Sequence, residues 1–216
     1  MLDEKYKNIV EKATISFEKG GKGILVPGNL IITAAHCVNF NLDGFMCVLE
    51  ELMPYGEQFF EKIITYSKKE IKVIPLAVEP VSDIAILSSL DGSRFEKESM
   101  DYDKFCEETQ PVKLCFDEII SNQEYPIYIF THEFKWITGT AICLNKFLPY
   151  ILCEMEEPIH NGTSGSAIVN QMGELVGIVS IIQGEDELHM TTGREPYLLK
   201  ALPAWILYLI QNDIPI

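Results

Sequence analysis

The chain alternates short apolar runs with clusters of glycine, proline, asparagine and aspartate, a pattern typical of β-strands separated by turns. In the first part of the chain such runs occupy 13–17, 23–26, 30–35, 45–52, 62–66, 71–78 and 84–90. Further on they occupy 111–116, 125–130, 136–144, 150–155, 166–170 and 174–182, with one more near 188–192. The pattern predicts an all-β fold built from two barrels.

A strongly charged stretch separates the two sets of strands. Residues 91–111 are rich in charged side chains and lack alternation, so we expect a surface connection between an N-terminal barrel at 1–90 and a C-terminal barrel at 112–196. Residues 197–216 place large apolar side chains at helical spacing and predict a C-terminal helix and tail. That helix is expected to pack on its own domain, with docking on a membrane or a partner as the alternative. The apolar positions are Leu198, Leu199, Leu202, Trp205, Ile206, Leu209 and Ile210.

The composition is globular, with an excess of acids. The 216 residues are 47% apolar and 23% charged, and the formal net charge is −15. Such a surface repels phosphate backbones and anionic lipid headgroups, so we expect neither nucleic-acid nor membrane binding. The first residues lack the apolar core of a secretory signal, and no stretch reaches the roughly 20 apolar residues of a membrane span. We therefore expect a cytoplasmic protein.

Six cysteines could form three disulfides, but in the cytoplasm we expect buried free thiols. Cys143 and Cys153 flank a predicted hairpin and could face each other, which leaves their pairing open. The sequence contains no C-x-x-C pair and no H-E-x-x-H motif, so it predicts no metal and no cofactor. His132 and His189 lie outside any recognisable motif, and we expect no functional role for either.

Three segments supply the groups that acyl transfer from a peptide requires: a nucleophile, a base, and a carboxylate that orients the base. His36 follows an apolar strand that ends in small residues, Asp83 precedes another strand, and Ser164 lies in a glycine turn. Their order along the chain is His, Asp, Ser. An α/β-hydrolase has the order Ser, Asp, His and a glycine where Ser166 stands, so that class is disfavoured.

The residues around these three positions form recognisable blocks. They are Thr33-Ala34-Ala35-His36-Cys37, Asp83-Ile84-Ala85-Ile86-Leu87 and Gly162-Thr163-Ser164-Gly165-Ser166. The blocks resemble those of the chymotrypsin-like serine peptidases, as do the flanking residues 22–26 and 173–180. The likeness is greatest to the bacterial, disulfide-poor HtrA-like protease domains, although no PDZ region is recognised. The resemblance runs through most of the chain and implies the chymotrypsin-like fold, two antiparallel six-stranded β-barrels, here with a C-terminal α-helix.

The resemblance also implies a catalytic triad of His36, Asp83 and Ser164. Ser164 would attack the scissile carbonyl while His36 accepts its proton and Asp83 fixes the imidazole tautomer. The backbone N–H groups of Gly162 and Ser164 would bind the oxyanion. Thr163 stands where secreted trypsin-like enzymes carry an aspartate that pairs with a newly cut N-terminus. We therefore expect activity without zymogen cleavage, or control by a partner or conformational change.

The primary specificity pocket is expected to have its floor just before the serine block, at Pro158 and Ile159, where no acid is present to bind lysine or arginine. An apolar or small residue is therefore expected on the amino side of the cleaved bond (P1). The strand after the block is expected to pair with extended substrate, and Ile182 would narrow the pocket. Thr138 and His160 could add polar groups at its rim, although a solvent-facing loop position is the simpler interpretation of His160. The predicted substrate-binding residues are Pro158, Ile159, His160, Ser180, Ile181 and Ile182.

Three functional hypotheses follow from these residues. The first is an active serine endopeptidase that cuts polypeptides through an acyl-enzyme. The second is a latent protease domain that needs an activating partner, ligand or oligomer. The third is a module on the same fold that binds extended peptides without cutting them. The complete set of catalytic residues favours the first.

Overall fold

The N-terminal segment forms a helix that packs against the first strands. The computed structural model describes residues 1–38, 61–80, 82–115, 124–142, 150–180 and 197–211. Helix α1 runs Glu4–Ala13, and the side chain of Asp3 caps it by accepting a hydrogen bond from the Lys5 amide. Val10 and Ala13 are buried on its inner face.

The next part of the chain forms a closed barrel of six antiparallel strands. They are β1 (Thr14–Phe17), β2 (Lys22–Val26), β3 (Leu30–Ala34), β4 (Glu61–Ile64), β5 (Glu70–Glu79) and β6 (Ile84–Ser88). Their order around the barrel is β1-β2-β3-β6-β5-β4, and β4 pairs back onto β1. All five residues of β2 are buried because α1 packs against this strand. The predicted mostly β architecture with a six-stranded barrel is confirmed.

The later strands form a second antiparallel sheet. They are β7 (Glu124–Phe130), β8 (Trp136–Ile142), β9 (Tyr150–Met155), β10 (Ala167–Val169), β11 (Leu175–Ile178) and β12 (Tyr197–Ala201). They pair in the order β10-β11-β12-β9-β8-β7, and β7 also pairs with β10. The predicted runs at 45–52 and 188–192 lie outside the described residues.

The main hydrophobic core extends from the first barrel into the second sheet. It includes Ile24 and Ile86 of the barrel together with Phe130, Val169 and Ile178 of the second sheet. A smaller cluster lies within the second sheet and includes Ile127, Ile151 and Val176. The two halves are therefore joined by shared apolar packing as well as by the chain.

The charged connection between the halves contains a helix rather than only loop. Helix α2 runs Glu96–Glu108 and buries Tyr102 and Phe105. The Tyr102 hydroxyl donates to the Asn29 carbonyl at 2.7 Å. The apolar run at 111–116 forms a single bridge, Leu114 to Leu175, rather than the predicted strand, within residues 111–115 that the structure describes.

The predicted C-terminal helix from 197 is wrong in its first residues. Leu198 and Leu199 belong to β12, which pairs with β9, and helix α3 runs only Ala204–Gln211. Pro203 explains the boundary, because proline disfavours helical backbone at the preceding residue and is accommodated at a helix start. The second sheet therefore extends beyond the predicted limit of 196. Among the described residues, no helix is both long and apolar enough to cross a membrane.

Candidate active site

His36 lies in a short 3₁₀-helix, Ala35–Cys37, that directly follows β3. Ala34 and Ala35 are buried, and the Ala35 amide donates to the Asp83 carbonyl at 3.0 Å. Small side chains permit this close approach of the two backbones. The His36 side chain keeps 38% of its surface exposed, so one edge of the imidazole is open to solvent.

Asp83 immediately precedes β6 and is held against His36 by two hydrogen bonds. The His36 Nδ1 atom lies 2.7 Å from Asp83 Oδ2, and the His36 amide donates to Oδ1 at 3.0 Å. Asp83 has a φ of 55°, a left-handed conformation that aspartate adopts more readily than most residues. The residue is only 5% exposed. A buried carboxylate in this position favours the imidazole tautomer that carries its hydrogen on Nδ1.

Ser180 supplies a third hydrogen bond to the same carboxylate. Its hydroxyl donates to Asp83 Oδ2, and Ser180 is itself buried, just after β11 of the second sheet. Sequence reasoning assigned Ser180 to the substrate strand and missed this contact, because nothing in the local sequence points its hydroxyl toward Asp83. The carboxylate therefore receives hydrogen bonds from both halves of the molecule.

The electrostatics of the pair follow from these contacts. Burial works to raise the pKa of Asp83, but the hydrogen bonds from the His36 ring, the Ser180 hydroxyl and the His36 amide outweigh it and lower that pKa. The bond to Asp83, followed by the contact with the Cys37 side chain, raises the pKa of His36 above its ordinary value of 6.5. The neutral imidazole that accepts a proton is thus favoured at higher pH than for an isolated histidine.

Ser164 lies in a turn that docks on the first barrel. The Ser164 carbonyl accepts a hydrogen bond from the Lys22 amide at 2.7 Å, and the Thr33 hydroxyl donates to the Lys22 carbonyl at 2.5 Å. Thr33 is three residues before His36, so this docking brings the serine block to the end of β3 that carries the histidine. A Cβ built on Gly165 would lie 1.9 Å from the Lys22 carbonyl oxygen, which leaves room only for glycine.

Hydrogen bonds within the second half of the molecule also fix this turn. Gly165 N donates to Val179 O at 2.7 Å, and Thr163 N donates to His160 O at 3.2 Å. Gly162 has a φ of 89°, which glycine adopts without a Cβ clash. Within the described part of the chain, the Gly162 and Ser164 amides donate to no protein acceptor. Two such donors flanking one residue are suited to bind an anionic oxygen.

His132 contacts this turn, although sequence reasoning expected no role for it. Its Nδ1 atom lies 3.1 Å from Thr163 Oγ1, and a Cβ built on Gly162 would come within 3.3 Å of His132 Cγ. No sequence signal could have found the contact, since the two residues are 31 positions apart and His132 lies in a turn without a motif. His189 lies outside the described residues.

The predicted specificity residues fall in different environments. Pro158 and His160 are exposed, whereas Ile159 is buried in the core cluster of the second sheet. The Thr138 hydroxyl donates to the Glu156 carboxylate. Ile181 and Ile182 lie outside the described residues. The assignment of these residues to a substrate pocket stays a prediction.

Cysteine thiols and possible metal ligands are the other reactive groups of the described residues. Cys37, Cys106 and Cys153 are free, and Cys143 lies outside the described residues. Burial raises the pKa of Cys153 to about 12 and that of Cys106 to about 11, so neither is a ready nucleophile. Among the described residues, no three histidine, cysteine or acidic side chains form a group that could hold a metal ion.

A six-stranded barrel that carries a histidine–aspartate pair, with a glycine-flanked serine turn docked beside it, defines the class of serine peptidases with a trypsin-like fold. Residues 21–178 match the family model of the trypsin-like peptidase domain. The chain belongs to this family. No curated protein matches it.

Proposed function

We propose that this protein is a serine endopeptidase in which His36, Asp83 and Ser164 act as the catalytic triad. The observation that carries the proposal is the 2.7 Å hydrogen bond between His36 Nδ1 and a buried, triply hydrogen-bonded Asp83 carboxylate. This bond leaves the Nε2 lone pair of the imidazole available for a proton. The family match and the docked serine turn support the same assignment.

The proposed reaction uses the three residues in the following roles. Ser164 Oγ attacks the carbonyl carbon of the substrate as its proton passes to His36 Nε2, and the carbonyl oxygen becomes an anion. The amides of Gly162 and Ser164 donate to that oxygen. His36 then gives the proton to the leaving amine, and an acyl-enzyme remains on Ser164. Water, activated in turn by His36, hydrolyses it.

The experiment that tests the proposal is labelling with a fluorophosphonate, which reacts with an activated serine. The wild type is expected to form one adduct, located on Ser164 by peptide mass analysis. Ser164→Ala should form none, and Ser166→Ala, which removes the neighbouring hydroxyl, is the matched control and should still label. Absence of an adduct in folded wild type contradicts the proposal.

The same preparation distinguishes the other two candidate functions. A latent domain predicts labelling or casein cleavage that rises many-fold when an activating partner, ligand or oligomer is supplied. A binding module predicts equal peptide affinity in wild type and Ser164→Ala, with no cleavage in either. The contact between Thr163 and His132 supports activity without zymogen cleavage, because it holds the turn without a newly formed N-terminus.

We also propose an apolar or small P1 residue, with Pro158, Ile159 and His160 at the pocket and the strand from Ser180 through Ile181 and Ile182 alongside the substrate. A peptide-library cleavage profile tests this, and preferred cleavage after lysine or arginine contradicts it.

Within the family, we propose that the HtrA-like protease domains are the nearest group. The free thiols Cys37, Cys106 and Cys153 support a cytoplasmic location, which fractionation of the source cells tests.

A further inference from the structure

The turn between β7 and β8 lies against the serine block and is closed by its own hydrogen bonds. Thr131 N donates to Lys135 O at 2.9 Å, and Phe134 N donates to Thr131 O at 3.1 Å. The Thr131 hydroxyl also donates to Lys135 O, at 3.2 Å. The backbone of His132, inside this turn, is therefore fixed by β7 and β8 and not by the serine block that it touches.

His132 makes two contacts with the serine block, residues 162–166. Its Nδ1 atom lies 3.1 Å from the hydroxyl of Thr163, whose side chain is wholly buried. Its ring also lies against the Cα of Gly162, since a Cβ there would meet His132 Cγ at 3.3 Å. A buried hydroxyl that loses its partner has no water to replace it, so the hydrogen bond favours a single position of Thr163.

We propose that His132 is a positioning residue for the oxyanion turn, residues 162–164, whose amides would bind the substrate oxygen. The inference rests on the proposed peptidase function. Thr163 lies between the two amide donors, those of Gly162 and Ser164. Rotation of the peptide plane before Gly162 would turn its N–H away from the substrate oxygen. The ring of His132 packs on Gly162 and holds Thr163, which restrains both ends of that peptide segment.

Loss of the His132 contacts is expected to weaken stabilisation of the transition state more than it weakens substrate binding. The amide donors gain most when the carbonyl oxygen becomes anionic, so a loosened turn lowers kcat and leaves KM nearly unchanged. A contact that serves stability only would lower the free energy of unfolding without changing kcat per folded active site. These two outcomes separate positioning from simple packing.

The test uses variants that alter one contact at a time. His132→Phe keeps a ring against Gly162 and removes the hydrogen bond, and Thr163→Val removes the hydroxyl at nearly constant shape. His132→Asn can return a polar atom close to the Nδ1 position. Glu133→Gln, in the same turn, is the control that should leave kcat unchanged.

Rates are measured with a peptide ester and divided by the active-site concentration from fluorophosphonate titration. Both single variants are expected to lower kcat by about 10- to 100-fold with KM within about threefold, since one oxyanion donor is worth roughly 10²–10³. The kcat of the double variant should be no lower than that of the slower single variant, because both substitutions remove the same hydrogen bond. The kcat of His132→Asn should return most of the way to the wild-type value. Unchanged kcat in both single variants overturns the inference.

Failure of the proposed function gives a different result. If the folded wild type forms no adduct at Ser164, the peptidase proposal fails. Positioning is then read from amide hydrogen exchange at Thr163 and Ser166, whose N–H groups donate to His160 O and Thr163 O within the turn, and this measurement needs no activity. Exchange is expected to be faster in His132→Phe than in wild type, and equal exchange overturns the role of His132.

Discussion

Asp83 joins the two halves of the molecule at the level of single hydrogen bonds. Two of its bonds come from His36, beside β3, and one comes from Ser180, beside β11. The carboxylate has to be ionised to accept all three, and its lowered pKa keeps it so. Substitutions that remove the charge or a single donor therefore have different consequences.

Asp83→Asn is expected to lower kcat by about 10⁴-fold, because the amide can donate to Nδ1 and so favours the unproductive tautomer. The pH profile of kcat/KM should also change. Activity needs neutral His36, whose pKa is raised in the wild type, so the wild-type rate climbs with pH through a midpoint above 6.5. Without the carboxylate the midpoint falls toward the ordinary value.

The measurement is the rate of fluorophosphonate labelling from pH 5 to 10, with the His36 titration followed by NMR in Ser164→Ala. Ser180→Ala is the graded control, since it removes one donor and leaves the carboxylate, and its loss of rate should be much smaller. An unchanged midpoint in Asp83→Asn would show that the carboxylate does not control the histidine.

Gly165→Ala is expected to destabilise the protein by at least about 3 kcal/mol, because the new Cβ would lie 1.9 Å from the Lys22 carbonyl oxygen. Gly20→Ala is the matched control. Gly20 also has a positive φ, 97°, but nothing lies within 4 Å of its Cβ position, so backbone strain alone should cost about 1–2 kcal/mol. Urea unfolding measures both, and equal losses would contradict the clash.

Lys22→Met is expected to stabilise the protein at pH 7 by up to about 3 kcal/mol. Burial, followed by repulsion from Lys68, lowers the pKa of Lys22 from 10.5 to about 8. The unfolded chain therefore holds this proton more tightly, and wild-type stability rises as pH increases from 8 to 10.5. The advantage of Lys22→Met should shrink over the same range.

Thermal unfolding at pH 7 and pH 10.5 measures this difference. Lys12→Met, at an exposed lysine at the end of α1, is the control and should change stability little. The hydrogen bond from Lys22 Nζ to Ser16 Oγ and its contact with the Phe134 ring are lost in the variant, which reduces the gain. A loss of stability at pH 7 would mean that these contacts exceed the cost of burial.

At the scale of elements, α1 ties the first barrel to β8. Its Glu11 accepts a hydrogen bond from Trp136 Nε1 at 2.7 Å, and Tyr6 packs on Gly173 in the turn before β11. Trp136 begins β8, just after the turn that carries His132. Helix α1 thus supports the base of the turn that contacts the serine block.

Glu11→Ala is expected to destabilise the protein by about 1–2 kcal/mol, since it leaves a partly buried indole N–H without its acceptor. Glu11→Gln keeps a neutral acceptor and should cost less than half as much. Urea unfolding followed by tryptophan fluorescence measures both. Equal losses in the two variants would indicate that helix packing, and not the hydrogen bond, sets the cost.

Short apolar runs bounded by turn residues predicted most strands correctly, because each run buries its own side chains, as β2 and β6 do. The same reasoning failed at Leu198 and Leu199, whose apolar side chains fit helical spacing as well as strand spacing. Only pairing with β9, about 47 residues earlier, decides between them, and a local window does not contain that information. Helix α2 was missed because few of its residues are buried and its charges resembled a loop.

At the scale of the whole molecule, the candidate site combines groups from both halves. His36, Asp83 and Ser164 could be predicted because each lies in a short block with its own pattern. Ser180 and His132 could not, because their hydrogen bonds join residues 97 and 31 positions apart and depend on how turns are oriented after folding. Sequence therefore indicated the three candidate catalytic residues, and the structure added Ser180, which contacts Asp83, and His132, which contacts Thr163.

The docking of Ser164 on Lys22 has a consequence for synthesis in the cell. The ribosome releases the N-terminal barrel first, and that portion carries the proposed base His36 and its carboxylate Asp83 but not the proposed nucleophile Ser164. The serine turn emerges much later, and its docking contacts on the first barrel must wait for it. A growing chain is thus expected to gain peptidase activity only after residues 162–166 have been translated and have docked on the first barrel.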